Sequence, residues 1–224
     1  SSAPAAKTYM PAPGTVAPPF TVLAPDGSEI KLSDFAGKIV VLDFWATWCG
    51  PCHQAMPHNN DIYERYKDDG VVFLGICADD TRENYLGWAQ RNRKKYSFPT
   101  GSDPVGKDYQ NAFVRNDYGV TGFPTMFVIG RDGRIVGMAS GGGREENPRL
   151  LRLLAKLGAP VDLSKLPPEE ENKGPATIPA MGKTPAKPAA GMMGMGAGKD
   201  PARFGSVTLG EPAPDFTVLD EKGE

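Results

Sequence analysis

Two cysteines separated by two residues are the part of this sequence best suited to chemistry. Cys49 and Cys52 lie in the run Trp-Cys-Gly-Pro-Cys, directly after an apolar segment that predicts a buried strand. A helix should begin at this junction, where unpaired backbone N–H groups and the helix dipole lower the pKa of a thiol. We therefore expect Cys49 to be the attacking sulfur, exposed at the helix tip. Cys52, one turn later and more deeply placed, is the expected resolving sulfur.

A pair of cysteines with this spacing is also half of a zinc site. Structural zinc normally takes four ligands, and the sequence holds neither a second C-x-x-C nor an H-x-x-x-H pair. His53 and His58 follow on the same predicted helix, five residues apart, and do not complete a tetrahedral ligand set. We predict redox chemistry with no bound metal, and no cofactor other than the disulfide that Cys49 and Cys52 can form.

Asp43 is the second candidate for the chemistry, six residues before Cys49 on the predicted core strand. An ionised carboxylate is costly to bury, so its pKa should rise toward neutrality. Such a group could exchange a proton with Cys52, which must be deprotonated to attack. The alternative is a paired or edge aspartate that points to solvent.

The neighbours of the pair are expected to contact a substrate. Trp48 should form a partly exposed apolar wall, and Gly50 and Pro51 lie between the two sulfurs. Pro51 lacks a backbone donor, which affects how far the thiolate is stabilised. The third cysteine, Cys77, closes an aliphatic strand and is expected to be a passive buried thiol.

The elements that must position these residues alternate between strand and helix. Turn signals and apolar patterns predict a hairpin near the N-terminus, then a helix between two buried strands, a second helix capped by Asp80, another hairpin and a last helix that begins at Asn147. The predicted strands are 20–23, 29–32, 39–45, 71–77, 125–129 and 134–139, and the predicted helices 51–67, 80–93 and 147–158. This order predicts an α/β fold, a mixed sheet with helices on both faces.

Several motifs together are similar to a known family. Asp-Phe-Trp-Ala-Thr-Trp-Cys-Gly-Pro-Cys at 43–52 resembles the thioredoxin active site. Ala-Pro-Pro-Phe-Thr-Val at 17–22, Leu-Ser-Asp-Phe-x-Gly-Lys at 32–38 and Gly-Phe-Pro-Thr at 122–125 resemble the TlpA/ResA-type thiol-disulfide oxidoreductases in content and order. The match covers about residues 14–158. It implies a thioredoxin fold with an N-terminal β-hairpin extension and an inserted segment.

The resemblance also implies roles for particular residues. Asp43 corresponds to the buried aspartate of thioredoxin. Pro124 would form a cis peptide bond beside the cysteines, an ordinary trans turn proline being the alternative. The backbone of Phe123 would pair with an extended substrate segment, and its aromatic ring, in place of Ile or Thr, would retune which disulfides enter.

The resemblance further implies a setting. The partner would be a disulfide-containing protein, reduced outside the cytoplasm, in the periplasm for example, and cytochrome c biogenesis is one candidate process. An upstream thiol protein would supply electrons, and attachment of that donor or of the full-length protein to a membrane is left open. The Cys-Gly-Pro-Cys pair of thioredoxin has a reduction potential of about −270 mV, which is low among such pairs. We therefore expect this pair to reduce the disulfides of its substrates.

Composition divides the 224 residues into four parts. Residues 1–13 form a tail and 14–165 the thioredoxin-like domain. Residues 166–205 are too rich in Pro, Gly, Ala and Met to bury a core, which predicts a flexible linker. Residues 206–224 repeat the head, since Gly210–Glu224 matches Gly14–Ser28 at eight of fifteen positions. We expect the start of a second, truncated repeat, or a strand that pairs with another thioredoxin-like domain, with an unstructured end as the alternative.

Charge and composition restrict the remaining functions. With 25 basic and 27 acidic residues, the net charge of −2 gives no positive field for nucleic acid. Two rivals to the oxidoreductase remain. A peroxiredoxin-like thiol peroxidase would carry a lone reactive cysteine after Pro-x-x-x-Thr, a pattern that differs from Trp-Cys-Gly-Pro-Cys. A copper-delivering module would use both cysteines and the methionines at 181, 192, 193 and 195.

Overall fold

Strands and helices follow one another around a single mixed sheet. The computed structural model describes residues 10–140 and 145–168. The strands in these residues are β1 Thr21–Leu23, β2 Glu29–Lys31, β3 Ile39–Trp45, β4 Val71–Cys77, β5 Thr100–Ser102, β6 Thr125–Ile129 and β7 Ile135–Ser140. The α-helices are α1 Gly50–Tyr66, α2 Arg82–Asn92, α3 Phe113–Asn116 and α4 Pro148–Lys156. The strands are ordered β2-β1-β5-β4-β3-β6-β7.

The central strand β3 leads directly to the cysteine pair. It pairs in parallel with β4 and antiparallel with β6, and all seven of its residues are buried. A strand with neighbours on both edges and cover on both faces needs a nearly continuous apolar sequence. Asp43 is the one ionisable residue in this strand, so the fold places a carboxyl group in the middle of the sheet.

The two faces of β3 have different coverings. Val41 and Trp45 belong to the core cluster that holds the buried residues of α1, α2 and α4, and Asp43 lies between them in the alternation. Leu42 and Phe44 face a second cluster, formed with the N-terminal segment and α3. α1 and α2 share a face because both cross over between parallel strands in the same direction, and right-handed crossovers then place both helices on one side.

Most predicted elements are confirmed. β3, β4 and β6 have the predicted bounds, and Asn147 caps α4 by accepting hydrogen bonds from the backbone of Arg149 and Leu150. The predicted cap of α2 is wrong, because Thr81 rather than Asp80 is the N-cap. Two short elements, β5 and α3, were not predicted. β5 is the tripeptide Thr-Gly-Ser, which has no apolar periodicity and is held by pairing with β4 and β1.

Some predictions concern residues outside this part of the chain. The tail 1–9, the linker from 169 onward with its methionines, and the repeat at 206–224 lie outside the described residues. Leu166, the first residue of the predicted linker, packs against the main core cluster. Among the helices of the described ranges, none has the length and apolar character to cross a bilayer.

Candidate active site

The cysteine pair lies at the first turn of α1, next to the end of β3. Cys49 is the N-cap residue, and its Sγ accepts a hydrogen bond from the backbone N–H of Cys52 at 3.2 Å. The two sulfurs form a disulfide, with a Cα–Cα distance of 5.3 Å. Unpaired N–H groups and the positive end of the helix dipole stabilise negative charge at this position. After reduction, Cys49 is therefore the sulfur whose thiolate the helix favours.

Both cysteines are more enclosed than the sequence predicted. Cys49 is 4% exposed and Cys52 is 2% exposed, so the expectation that Cys49 is exposed at the helix tip is wrong. The residues around the pair carry the exposed surface instead: Trp48 is 60% exposed, and Gly50 and Pro51 are exposed as well. Burial alone does not distinguish the two sulfurs. Their positions at the helix start do.

Asp43 is buried beneath the helix that carries the pair. Its side chain is 2% exposed, and Oδ2 accepts a hydrogen bond from Nδ2 of Asn59 at 3.0 Å. Oδ1 has no hydrogen-bond partner among the described residues. Burial raises the pKa of Asp43 to about 7, against the lowering effect of the Asn59 hydrogen bond. The alternative of a solvent-facing aspartate is wrong.

Asn59 connects Asp43 to the side of α1 that carries Cys52. Cys52 and Asn59 are both on the buried stripe of α1, seven residues or about two turns apart. Asp43 therefore lies on the side of the helix that carries Cys52. A carboxyl group whose pKa lies near neutrality can accept or release a proton at working pH.

Three aromatic rings line the surface beside the pair, and we call them the aromatic wall: Trp48, Phe123 and Tyr109. The Phe123 ring lies 5.8 Å from Trp48 and 6.0 Å from Tyr109, measured between centroids. The Phe123–Pro124 peptide bond is cis, and Pro124 is buried. Within the described residues, Phe123 makes no backbone hydrogen bond. Its N–H and C=O are thus available to an extended segment that lies against the wall.

Polar contacts that the sequence analysis missed hold the turn before the cysteine pair. Asp80 Oδ2 accepts hydrogen bonds from the backbone N–H of Thr47, at 2.8 Å, and from its hydroxyl. The carbonyl of Thr47 accepts a hydrogen bond from Nε2 of His53 at 2.8 Å. The indole N–H of Trp48 donates to the carbonyl of Asp79 at 3.0 Å. This set, the turn clamp, ties the loop after β3 to α1 and to the loop after β4.

A signal for the turn clamp was present in the sequence. β3 and β4 are adjacent and parallel, so polar residues that follow each strand meet at one edge of the sheet. Thr47 and Asp80 follow these two strands, at two and three residues from their ends. Burial raises the pKa of Asp80, but hydrogen bonds from Thr47 and Asn84 outweigh it and hold the pKa below its usual range.

Cys77 lies in the core, away from solvent. It is 2% exposed and is the register partner of Trp45 on β3. Burial, with a smaller contribution from the charge of Asp80, raises the pKa of its thiol far above the usual value. The thiol is therefore protonated at neutral pH and unreactive.

Comparison with known proteins agrees with this geometry. The model of the AhpC/TSA family matches residues 13–138. Thiol-disulfide oxidoreductase ResA of Bacillus thuringiensis subsp. konkukian is 37% identical over 123 residues, which are 55% of this chain and 66% of the relative. ResA of Geobacillus thermodenitrificans is 34% identical over 128 residues, 57% of this chain and 69% of the relative.

A solved structure covers the same part of the chain. The crystal structure of a Chlorobium tepidum protein, provisionally assigned as thiol:disulfide interchange protein DsbE, is 32% identical with a TM-score of 0.55. The match covers 66% of this chain and 99% of that one, which establishes the thioredoxin fold. The chain spans just under two thirds of the Bacillus relative, at 66%. It belongs to the AhpC/TSA family and, within the thioredoxin superfamily, to the ResA-like thiol-disulfide oxidoreductases.

Proposed function

We propose that the protein reduces disulfide bonds of other proteins outside the cytoplasm. The observation that carries the proposal is the Cys49–Cys52 disulfide at the start of α1, with the buried carboxyl of Asp43 facing the same side of the helix. A dithiol in this position has one sulfur stabilised as a thiolate and one sheltered sulfur that can attack it. The likeness to ResA proteins supports the same activity.

In the proposed reaction the reduced pair gives two electrons to a substrate disulfide. The Cys49 thiolate attacks one substrate sulfur, the substrate S–S bond breaks, and the other substrate sulfur leaves as a thiolate that takes up a proton. Cys52 then loses its proton, with Asp43 as the proposed acceptor, and attacks Cys49 Sγ. The mixed disulfide breaks, the second substrate sulfur leaves as a thiolate that takes up a proton, and the Cys49–Cys52 disulfide remains.

The aromatic wall is the proposed contact for the substrate segment near its disulfide. The unpaired backbone of Phe123 would hydrogen-bond an extended strand, while the exposed Trp48 ring would cover the reacting sulfurs. Gly50 and Pro51, which are exposed, complete this surface, whereas Pro124 is buried directly after Phe123 and does not reach it. We propose further that an upstream thiol protein donates electrons to re-reduce the pair. Either that donor or the full-length form of this protein would be attached to a membrane.

Insulin reduction followed by turbidity tests the activity. Wild-type protein with dithiothreitol should accelerate precipitation, and Cys49→Ser should leave only the rate of dithiothreitol alone. Cys52→Ser should accumulate a mixed disulfide with substrate, visible as a band that disappears on reduction. Cys77→Ala is the matched control and should retain the wild-type rate, because the buried Cys77 thiol has a raised pKa and takes no part in the proposed exchange. Equal activity of wild type and Cys49→Ser would end the proposal.

The two rival functions give different results in two further measurements. A thiol peroxidase would consume hydrogen peroxide at a rate that needs Cys49 and does not need Cys52. A copper-delivering module would retain stoichiometric Cu(I) through gel filtration and leave insulin intact. We expect neither result, because the two cysteines pair with each other at 5.3 Å between Cα atoms, as a dithiol couple requires.

A further inference from the structure

A groove extends from the active-site turn along α2. It is lined at one end by Thr47, Trp48 and His53 and along its length by residues of α2 and the segment that follows. Because α1 and α2 lie on the same face of the sheet, this helix is brought beside the cysteine pair. The groove lies on the side of Trp48 that adjoins α2, and the residues that line it do not include Phe123 or Tyr109, the other two members of the aromatic wall.

One face of α2 forms the wall of the groove. Glu83, Gly87 and Arg91 follow one another at four-residue spacing and therefore lie in one row along the helix. Gly87 leaves this row open, since a β-carbon there would come within 3.3 Å of a guanidinium nitrogen of Arg91. A glycine inside a helix costs about 1 kcal/mol relative to alanine, so its presence needs a local reason. The exposed Arg91 side chain could give by the few tenths of an ångström that a β-carbon would need, so this contact alone does not require glycine, but the absence of a side chain at Gly87 keeps the row open.

The groove has aromatic side chains at its base. Trp88 is buried, its ring lies 4.3 Å from Trp45, and it stacks on Tyr96 at 6.0 Å. The ammonium group of Lys95 lies over the Tyr96 ring, 5.1 Å from its centroid. This arrangement places a cation above an apolar surface at the end of the groove that is remote from Glu83.

The positive charge at this end is concentrated. Four of the five residues at 91–95 are Arg or Lys, although the whole chain carries a net charge of −2. Arg91, Arg93, Lys94 and Lys95 are exposed, and none of them takes part in an ion pair within residues 10–140 and 145–168. Of the four, Arg91 and Lys95 line the groove, whereas Arg93 and Lys94 do not.

We propose that this groove binds an acidic segment of the protein whose disulfide reaches Cys49. The inference rests on the proposed function and names the class of substrate: a disulfide protein with Asp or Glu residues near the reacting cysteine. Carboxylates of that segment would pair with Arg91 and Lys95, and its chain would lie over Trp88 and Tyr96. The concave shape and the proximity to the reacting sulfurs favour a polypeptide over a flat anionic membrane.

Three peptides test the inference. Each contains one cysteine joined to 5-thio-2-nitrobenzoate, with two Asp, two Asn or two Lys on either side of it. The reduced protein releases the coloured thiolate when Cys49 attacks, so absorbance gives a second-order rate constant. Each rate constant is divided by that for dithiothreitol with the same peptide, which removes differences in intrinsic reactivity. The variants are Arg91→Glu/Lys95→Glu, the matched control Arg93→Glu/Lys94→Glu, and Gly87→Leu, which fills the groove without a change of charge.

We expect wild type to react about tenfold faster with the Asp peptide than with the Asn peptide at low salt, because complementary charge acts mainly on association. The preference should fall below about twofold at high salt, as screening requires. It should disappear in Arg91→Glu/Lys95→Glu and in Gly87→Leu, and persist in Arg93→Glu/Lys94→Glu.

Several outcomes would overturn the inference. Equal rates with all three peptides would refute the acidic specificity and leave the oxidoreductase proposal intact, whereas no reaction with any peptide would end both. If both double variants lost the preference for the Asp peptide equally, the preference would come from the general positive charge of residues 91–95 and not from binding in the groove. Sedimentation with phosphatidylglycerol vesicles that depends on Arg91 and Lys95, without a peptide preference, would assign the surface to a membrane.

Discussion

Replacing Asp43 by Asn should change how the stability of the protein depends on pH. The substitution keeps the shape of the side chain and an acceptor for the Asn59 amide, but it removes the titrating group. Burial raises the pKa of Asp43 from its ordinary value of 3.8 to about 7. The folded state therefore binds a proton that the unfolded chain releases, at every pH between these two values.

The sign and size of the effect follow from this difference. Protonation of Asp43 contributes fully to the free energy of unfolding below the unfolded pKa of 3.8. This contribution decreases as pH rises above 3.8 and is lost once pH has passed the folded pKa of about 7. At about 1.4 kcal/mol for each pH unit, the whole loss is about 4 kcal/mol, of which roughly 2–3 kcal/mol falls between pH 5 and pH 8. The Asp43→Asn variant has no such loss, because an amide does not titrate in this range.

Urea unfolding of the oxidised protein at pH 5, 6, 7 and 8 measures the difference. We expect the free energy of unfolding of Asp43→Asn, relative to wild type, to increase by roughly 2–3 kcal/mol from pH 5 to pH 8. Any cost of packing the amide is independent of pH and cancels in this comparison. Asp61→Asn, an exposed position on the same helix, controls for the loss of one charge. Parallel curves for wild type and Asp43→Asn would refute the reasoning, and with it the proposed proton exchange.

Two further substitutions test the turn clamp and the packing of β5 against β1. Asp80→Asn should destabilise the protein by about 2 kcal/mol at pH 7, because the Thr47 hydrogen bonds lose their charged acceptor. Since those bonds outweigh burial and hold the pKa of Asp80 below its ordinary value of 3.8, the difference should begin to shrink as pH falls below 3.8 and disappear only below the folded pKa. A difference at pH 3 equal to that at pH 7 in urea unfolding would contradict this. Gly101→Ala should cost about 1–3 kcal/mol, because the new β-carbon would lie 2.5 Å from Val22 Cγ2. Gly122→Ala, which meets nothing within 4 Å, is its control, and equal thermal midpoints of the two would show that Val22 yields freely.

Much of the site was predictable because its parts are close in sequence. The bounds of β3, the start of a helix at Cys49 and the burial of Asp43 follow from an apolar run that ends in a Trp-Cys-Gly-Pro-Cys turn. Local rules on strand burial and helix starts act over this distance. The exposure of Cys49 was predicted wrongly, because burial depends on side chains from the rest of the fold.

The contacts that complete the site join residues far apart in the chain. Asp43 meets Asn59 across 16 positions, and Thr47 meets Asp80 across 33. Asp80 was assigned to the helix cap because Asp and Thr both suit that position, and the local pattern does not distinguish them. Only the parallel pairing of β3 and β4 brings Asp80 to Thr47, leaving Thr81 as the cap.

By itself the sequence determined which groups react and on which elements they lie, since a strand-to-helix junction and a two-residue spacing are local properties. The tertiary structure decided what surrounds those groups. The order of strands in the sheet and the hand of the crossovers placed α1 and α2 on one face and Phe123 against Trp48. These placements set the environment of Asp43 and the groove beside the disulfide, and no local pattern encodes them, because they depend on contacts between distant segments.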